Sequence, residues 1–457
     1  MNRRMLLGSV AAAAALSMLA SPSIAAARKL NFIVIYCDDL GYGDVGATGG
    51  TTIPTPNIDA MAREGVTLTD YYAPANLCTP SRAGMLTGRY PIRTGLARGV
   101  IMQNETRGLP LSEVTIAKAL KPEYVSALIG KWHLGHTGPS WSPTKHGFDL
   151  FYGLPYSHDM EPLKLYEDTG SKLTELPFDY TRLQEMFYAR AEKFIEDNKH
   201  KPFFLDLALS GPHLPNYPDK AFAGKSAAGA YGDVVMEIDD IVGRLMAKLK
   251  ALGLDKDTLV IFTSDNGPWY EGSTGGLRQR KGGGAYDGGY RVPFIARMPG
   301  RIPSGTRSDA IAMGIDFLPT FCAMASKPLP AGVQIDGKDI GAVLTKGAAT
   351  PHEELLLFSD EDVVGLRTQR WKYTSADFFG NRLATFKGRG YPQLYDMHDK
   401  SESYSVASLH PDIAAAMDKR LRALQAEFAP LRTVPPVAGP KMPEKHVPEI
   451  WQGFGAD

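Results

Sequence analysis

The stretch "KLNFIVIYCDDLGYGDVG", residues 29–46, decides the architecture. Its apolar run lacks the in-out alternation of a half-exposed strand, so it reads as a strand buried on both faces, the kind parallel sheets use. The run stops abruptly on Asp38, Asp39 and glycines. The same shape returns at "KPFFLDLALSGPH" (201–213) and at "DTLVIFTSDNG" (257–267), which ends on Asp265 and Asn266. Between these last two, "YGDVVMEIDDIVGRLMAKLKALGL" (231–254) carries Val234, Ile238, Ile241, Leu245, Leu249 and Leu252 at three- and four-residue steps, the stripe of an amphipathic helix. Strands alternating with helices predict an α/β fold built on a large, mostly parallel sheet flanked by helices on both faces. Ligands of such sheets gather beyond the carboxyl ends of the strands, so the polar residues that close each run are the candidates for chemistry.

From about residue 350 the texture changes. "EELLLFSD", "VGLRTQRWKYTSA" and "PQLYDMHD" are short aromatic-rich strand candidates, and a helix follows with Ile413, Met417, Leu421, Leu424 and Phe428 on one stripe. A smaller C-terminal antiparallel sheet with one covering helix is expected, with a proline- and charge-rich tail after Pro430 running over the surface. At the other end, Arg3 and Arg4 precede a short alanine-rich apolar run and small residues compatible with cleavage near Ala25 or Ala27. That is the pattern of a signal peptide, and the paired arginines admit a twin-arginine route. The run is shorter than the roughly twenty residues of a spanning helix, so no membrane span is expected in the mature protein, a retained anchor being the alternative. The expected division is therefore 1–27 signal peptide, 28–349 catalytic domain and 350–457 C-terminal subdomain, in a periplasmic or secreted protein that meets the export machinery.

Across 457 residues, 50 basic side chains balance 50 acidic ones, which gives no case for nucleic acid or an anionic membrane as partner. The three cysteines, Cys37, Cys78 and Cys322, are too few and too scattered for a disulfide framework. Cys37 and Cys322 lie in apolar runs and read as small core residues. Cys78 lies among turn-formers: Thr79 suits a helix cap, Pro80 the first helical position and Gly88 the end. A thiol there faces the positive end of a helix, which lowers a thiol pKa and equally favours a bound sulfate or phosphate, so an activated thiol and an inert one both remain open. For Asp38, Asp39, Asp265 and Asn266, two readings also stand. They are the all-oxygen ligands of a hard cation, Ca²⁺ or Mg²⁺, or they are residues that cap the loops after their strands.

Cys78-Thr79-Pro80-Ser81-Arg82 with "GMLTGRYPIRTG" after it resembles the C-x-P-S-R signature of the sulfatase family, which has an alkaline-phosphatase-like fold. The family's second signature is matched by "YVSALIGKWHLG" (124–135). The resemblance continues in order through "PYSHD", "SGPHLPNYP", "DTLVIFTSDNG", "RKGGGAYDGGYRVP", "DFLPT", "IDGKDIG" and "LYDM". Asp287 stands where the family commonly has glutamate.

The resemblance implies hydrolysis of aryl or carbohydrate sulfate esters. It implies that Cys78 is oxidised by a maturation enzyme during export to formylglycine (3-oxoalanine), whose hydrated diol attacks sulfur with one hydroxyl and expels sulfate by elimination through the other. Asp38, Asp39, Asp265 and Asn266, with the modified Cys78, would hold a metal, Ca²⁺ ahead of Mg²⁺. Arg82 and Lys131 would hold the diol, and His133 would take the proton that starts elimination. Lys131, His213 and Lys281 would bind sulfate, with Ser157 beside them. Two alternatives share the fold: a phosphodiester or phosphonate monoester hydrolase, and a catalytically silent protein that binds sulfated glycans. Loops 160–180 and 374–392 are expected to shape the pocket for the sulfated small molecule or saccharide.

Overall fold

The computed structural model describes residues 29–374, 393–399 and 402–434, so the leader, most of loop 374–392 and the tail beyond 434 lie outside the described residues. In chain order the strands of its large sheet are β1 (Asn31–Cys37), β2 (Val66–Leu68), then, after a two-residue strand β3 (Tyr71–Tyr72), β4 (Val125–Lys131), β5 (Leu150–Leu154), β6 (Leu165–Asp168), β7 (Leu173–Leu176), β8 (Phe203–Ala208), β9 (Thr258–Ser264), β10 (Phe294–Arg297) and β11 (Thr306–Ser308). They lie side by side as β11-β2-β10-β9-β1-β8-β4-β5-β6-β7, a ten-stranded sheet. The run that opened the sequence reading is at its centre. β1 pairs in parallel with β8 and β9, β4 in parallel with β8 and β5, and antiparallel strands are confined to the flanks.

Burial on both faces explains why β1 shows no alternation. Phe32, Val34 and Tyr36 face one core, which they share with α2 (Cys78–Thr87), and Ile33, Ile35 and Cys37 face a second, opposite core that also takes Ile58 and Met61 of α1 (Pro56–Arg63). The long helices Leu183–Asn198 and Gly229–Ala251 cover that second face, the latter burying Val234, Ile238, Ile241, Leu245 and Leu249 as its stripe requires. Cys37 and Cys322 are buried and unbridged, as core residues. Segment 160–180 differs from expectation: it is largely the hairpin of β6 and β7, added antiparallel to the edge at β5, because "KLYED" and "KLTEL" flank a Thr-Gly-Ser turn.

The small sheet is antiparallel, ordered β13 (Leu355–Ser359), β14 (Asp362–Arg367), β15 (Trp371–Thr374), β16 (Gln393–Asp396), after a two-residue β12 (Ala312–Met313) that pairs with β3. Helix Pro411–Phe428 packs on it through Met417, Leu421, Leu424 and Phe428; Ala414 is buried on that stripe and Ile413 is only half-buried. An ionic cluster also ties this sheet to the rest. Lys372 Nζ on β15 lies 2.6 Å from Asp287 Oδ1 and 2.6 Å from Glu402 Oε1, all three fully buried. Tyr72 donates to the same Asp287 oxygen at 3.0 Å, and the Asp287 backbone N–H donates to Glu402 at 2.9 Å. Although burial opposes it, Lys372 and then Arg291 hold the Asp287 carboxyl below its ordinary range. No helix among the described residues is long and apolar enough to cross a membrane.

Candidate active site

Every polar strand end singled out by the sequence comes to one place, the carboxyl edge of the central parallel strands. Asp38 and Asp39 follow β1, Asp265 and Asn266 follow β9, Lys131 ends β4 and Ser157 lies beyond β5. Gly130 makes the approach of β4 possible. Its φ is +119°, and a Cβ there would stand 1.8 Å from the carbonyl oxygen of Ala208 on β8. Asp39 and His133 also occupy the left-handed region, at φ 64° and 58°. Aspartate and histidine enter that region more readily than most residues. Asp39 is pinned there by its N–H on Asp265 Oδ1 at 3.2 Å and by Tyr231, whose hydroxyl donates to the Asp39 carbonyl at 3.2 Å.

Helix α2 begins on Cys78 and ends at Gly88, whose φ of 67° closes it in the left-handed cap. The cap expected from Thr79 is absent; Leu77 precedes the helix without a side-chain bond. Thr79 turns inward instead, donating to the His133 carbonyl at 3.0 Å and accepting from the Ile101 N–H at 3.1 Å. Pro80 falls third in the helix, still within the turn whose N–H groups lack intrahelical partners, so it breaks no bond. Cys78 Sγ lies 3.5 Å from Asp38 Oδ1. Its thiol is not activated: burial pushes the pKa up, against the pull of Lys131 and Lys281, so desolvation outweighs the helix end.

Around the thiol, charges interlock. Lys131 Nζ contacts Asp38 Oδ2 and donates to Ser157 Oγ at 3.1 Å. Arg82 sets Nε at 2.9 Å and Nη2 at 2.7 Å on Asp265 Oδ2, gives Nη1 to the Lys131 carbonyl at 3.0 Å, and approaches Asp38 at 3.7 Å. Lys281 Nζ lies 2.7 Å from Asp39, and His213 Nε2 3.6 Å from the same carboxylate. Against the cost of burial, Lys131, then His213 and Arg82, hold Asp38 well below its ordinary pKa, whereas burial and the neighbouring Asp38 push Asp265 up. The three carboxylates Asp38, Asp39 and Asp265 are thus matched by Lys131, Lys281 and Arg82, each cation set on one of them.

One orphaned oxygen and a cluster of donor atoms fit a cation. Asn266 donates from Nδ2 to Asp39 Oδ1 at 2.6 Å, while its buried Oδ1 receives no hydrogen bond. Ligand atoms of Asp38, Asp39, Cys78 and His213 all lie within 4.8 Å of one another. Carboxylate and amide oxygens suit a hard divalent ion. Asp265 stands beside this group, shared between Arg82 and the Asp39 backbone.

His133 is fixed by its surroundings. Nε2 faces the Ile101 carbonyl at 3.0 Å, an oxygen that only accepts, so Nε2 carries the proton and Nδ1 is left with a lone pair and no partner. Burial, then Lys131 and Arg82, keep the ring neutral by pushing its pKa well down. His158 was missed by the sequence reading, although it sits inside "PYSHD" next to Ser157. It bonds the Pro215 carbonyl at 3.0 Å, meets the His213 ring edge-on at 5.5 Å, and is pushed down to about 4 by burial and then His213. No spacing rule marks a histidine that supports another histidine 55 positions away.

The sulfatase family model matches residues 30–327. The chain is 36% identical to human arylsulfatase A over 89% of each chain, and 38% identical to pig N-acetylgalactosamine-6-sulfatase over 70% of this chain and 67% of that one. Among solved structures, the PsFucS1 sulfatase from Pseudoalteromonas sp. superposes with a TM-score of 0.82 at 31% identity, covering 89% of this chain and 92% of that one. The site at the edge of the central strands lies within the matched residues, and sequence and fold agree across most of the chain: it belongs to the sulfatase family, within the alkaline-phosphatase-like superfamily.

Proposed function

We propose that this sulfatase cleaves aryl or carbohydrate sulfate esters through formylglycine made from Cys78, at a site that holds Ca²⁺. The observation that carries this reading is the placement of Cys78: a buried thiol with a raised pKa, 3.5 Å from Asp38, at the start of a helix and ringed by lysines and an arginine. A thiol so disfavoured as a thiolate is a poor nucleophile. The hydrated aldehyde would supply one hydroxyl to attack sulfur and a second whose deprotonation lets sulfate leave.

The chain's own residues then have distinct tasks. Asp38, Asp39, Asp265 and the free Oδ1 of Asn266 would hold the ion, which supplies Lewis acidity toward a sulfate oxygen. Lys131, steadied by Ser157, and Arg82 orient the residue at 78 and balance its charge. His133 accepts the second hydroxyl's proton at Nδ1, the one ring nitrogen left free by the Ile101 bond. His213 and Lys281 bind the sulfate and stabilise charge on the departing oxygen. The leader at 1–27 and a boundary between residues 349 and 350 are part of the same proposal, as is delivery to the periplasm or the exterior.

Protein matured in a host with the modifying enzyme should release sulfate from an aryl sulfate, and the mass of its Cys78 peptide should show the aldehyde. Cys78→Ala should abolish turnover. Retained activity in that variant refutes the assignment, and a faster rate on the matched phosphate ester than on the sulfate reassigns the substrate.

A further inference from the structure

The segment that joins Asn266 to Lys281 begins and ends on residues of the site. Its ends are pinned together by the Lys281 N–H on the Pro268 carbonyl at 3.1 Å. Its middle is bonded to the turn after Asp39, through Gly43 N–H to the Ser273 carbonyl at 2.9 Å and Ser273 N–H to Asp44 at 2.8 Å. This segment carries two aromatic side chains that a stable fold gains nothing by exposing: Trp269, 43% exposed, and Tyr270, 71% exposed, with rings edge to face at 4.9 Å.

Arg280 completes the group. Its guanidinium lies 4.9 Å from the centre of the Tyr270 ring, and Nη1 donates to the Trp269 carbonyl at 2.7 Å. Its neighbours in the run are occupied: Lys281 is on Asp39, and Arg278 donates to the Tyr395 hydroxyl at 2.7 Å. Among the described residues, Arg280 has no carboxylate partner. A guanidinium fixed by a ring and a carbonyl, with its remaining N–H groups unspent, is preorganised for an incoming anion. It stands one residue from Lys281, and near enough to Asp44 to act on that carboxyl's titration. Tyr231 in turn links Asp44 to the Asp39 backbone.

An aryl monosulfate has nothing for this group to hold, because its only anion is the one being cleaved. A sugar ring presents polarised C–H groups to the negative face of an aromatic ring, and a second sulfate or carboxylate on the saccharide meets the guanidinium. We propose that Trp269, Tyr270 and Arg280 form a subsite for a further anionic group of a saccharide substrate, so that this sulfatase selects sugars carrying more than the scissile sulfate. The proposal rests on the sulfate ester hydrolysis described above and names the substrate class of that same site.

The test uses the full matured enzyme, an aryl monosulfate, and a panel of disaccharides matched ring for ring as mono- and disulfated forms. Wild type should favour a disulfated form over its monosulfated match by about ten- to a hundred-fold in kcat/KM, the range of a charge-assisted bond. Arg280→Gln should lower kcat/KM for that disulfated sugar at least about ten times more than for the aryl sulfate, and Trp269→Ala should lower it for both sugars more than for the aryl sulfate. The inference is overturned if wild type ignores the second anionic group, if no saccharide is cleaved while the aryl sulfate is, or if Arg280→Gln depresses all substrates alike. Failure on every sulfate ester would instead refute the underlying activity, so the two failures are distinguishable.

Discussion

Lys372→Met removes the only ammonium that the described residues place in the buried cluster joining the small sheet to the loop region after Lys281. In the wild type its Nζ serves two carboxylates at 2.6 Å each, with no solvent reaching any of the three side chains. Deleting one partner of such a buried group leaves charge uncompensated, which costs about 3–5 kcal/mol. Asp287 keeps Arg291 at 3.4 Å and Tyr72 at 3.0 Å, but among the described residues Glu402 keeps only the Asp287 N–H. Glu402 is already pushed up to about 7 by burial, with Lys372 pulling it down, so the variant raises it further. A carboxyl whose folded pKa lies above its unfolded value binds a proton on folding, so its contribution is present at low pH and is lost as pH rises from about 4.5. The loss should therefore be larger at pH 8 than at pH 5. Urea midpoints followed by tryptophan fluorescence at both pH values measure this. Adding Glu402→Gln should recover at least half of the loss, because an amide needs no counter-charge. A loss under about 1 kcal/mol at pH 8, or one equal at both pH values, refutes the reasoning.

Four further outcomes follow from the site and from the strand β8 beside it. Dialysis against a chelator should abolish turnover and added Ca²⁺ restore it, and Asn266→Ala should raise the Ca²⁺ concentration for half-maximal activity by about ten-fold or more, read from a metal titration. His133→Ala should lower kcat by about 10²- to 10⁴-fold with a smaller effect on KM, as expected for loss of a general base. Asp206 is pushed up to about 7 by burial, against Arg82, with one oxygen lacking any bond. Wild-type stability should fall between about pH 4 and 7 by up to about 4 kcal/mol on this account, and Asp206→Asn should flatten that slope in denaturation series across pH.

How much of this was legible in the sequence varies with the range of the interaction. The β1 run could be read because burial on both faces is a local property of consecutive side chains, and Asp38, Asp39, Asp265 and Asn266 could be read because strand ends of one sheet share an edge. The role of Thr79 could not: a cap is the commonest use of threonine before a helix, and only the arrival of Ile101 and His133 gives its hydroxyl a different one. The state of the Cys78 thiol stayed open in the sequence for a related reason, since a helix end is visible there and full desolvation is not. The Asp287–Glu402 bond spans 115 positions and carries no periodicity that would announce it. Segment 160–180 was readable as a hairpin from its Thr-Gly-Ser turn and passed as a loop because its strands are short.

All ten residues of helix α2, from Cys78 to Thr87, are buried. If residue 78 becomes formylglycine as proposed, the modifying enzyme has to reach a side chain that the finished fold buries. On that proposal the fraction of active molecules would be fixed while the chain is still open, by a race between oxidation and folding. Slowing the docking of α2 against the sheet should raise that fraction, and a well-folded sample made without the modifying enzyme would stay inactive however long it was later exposed to one.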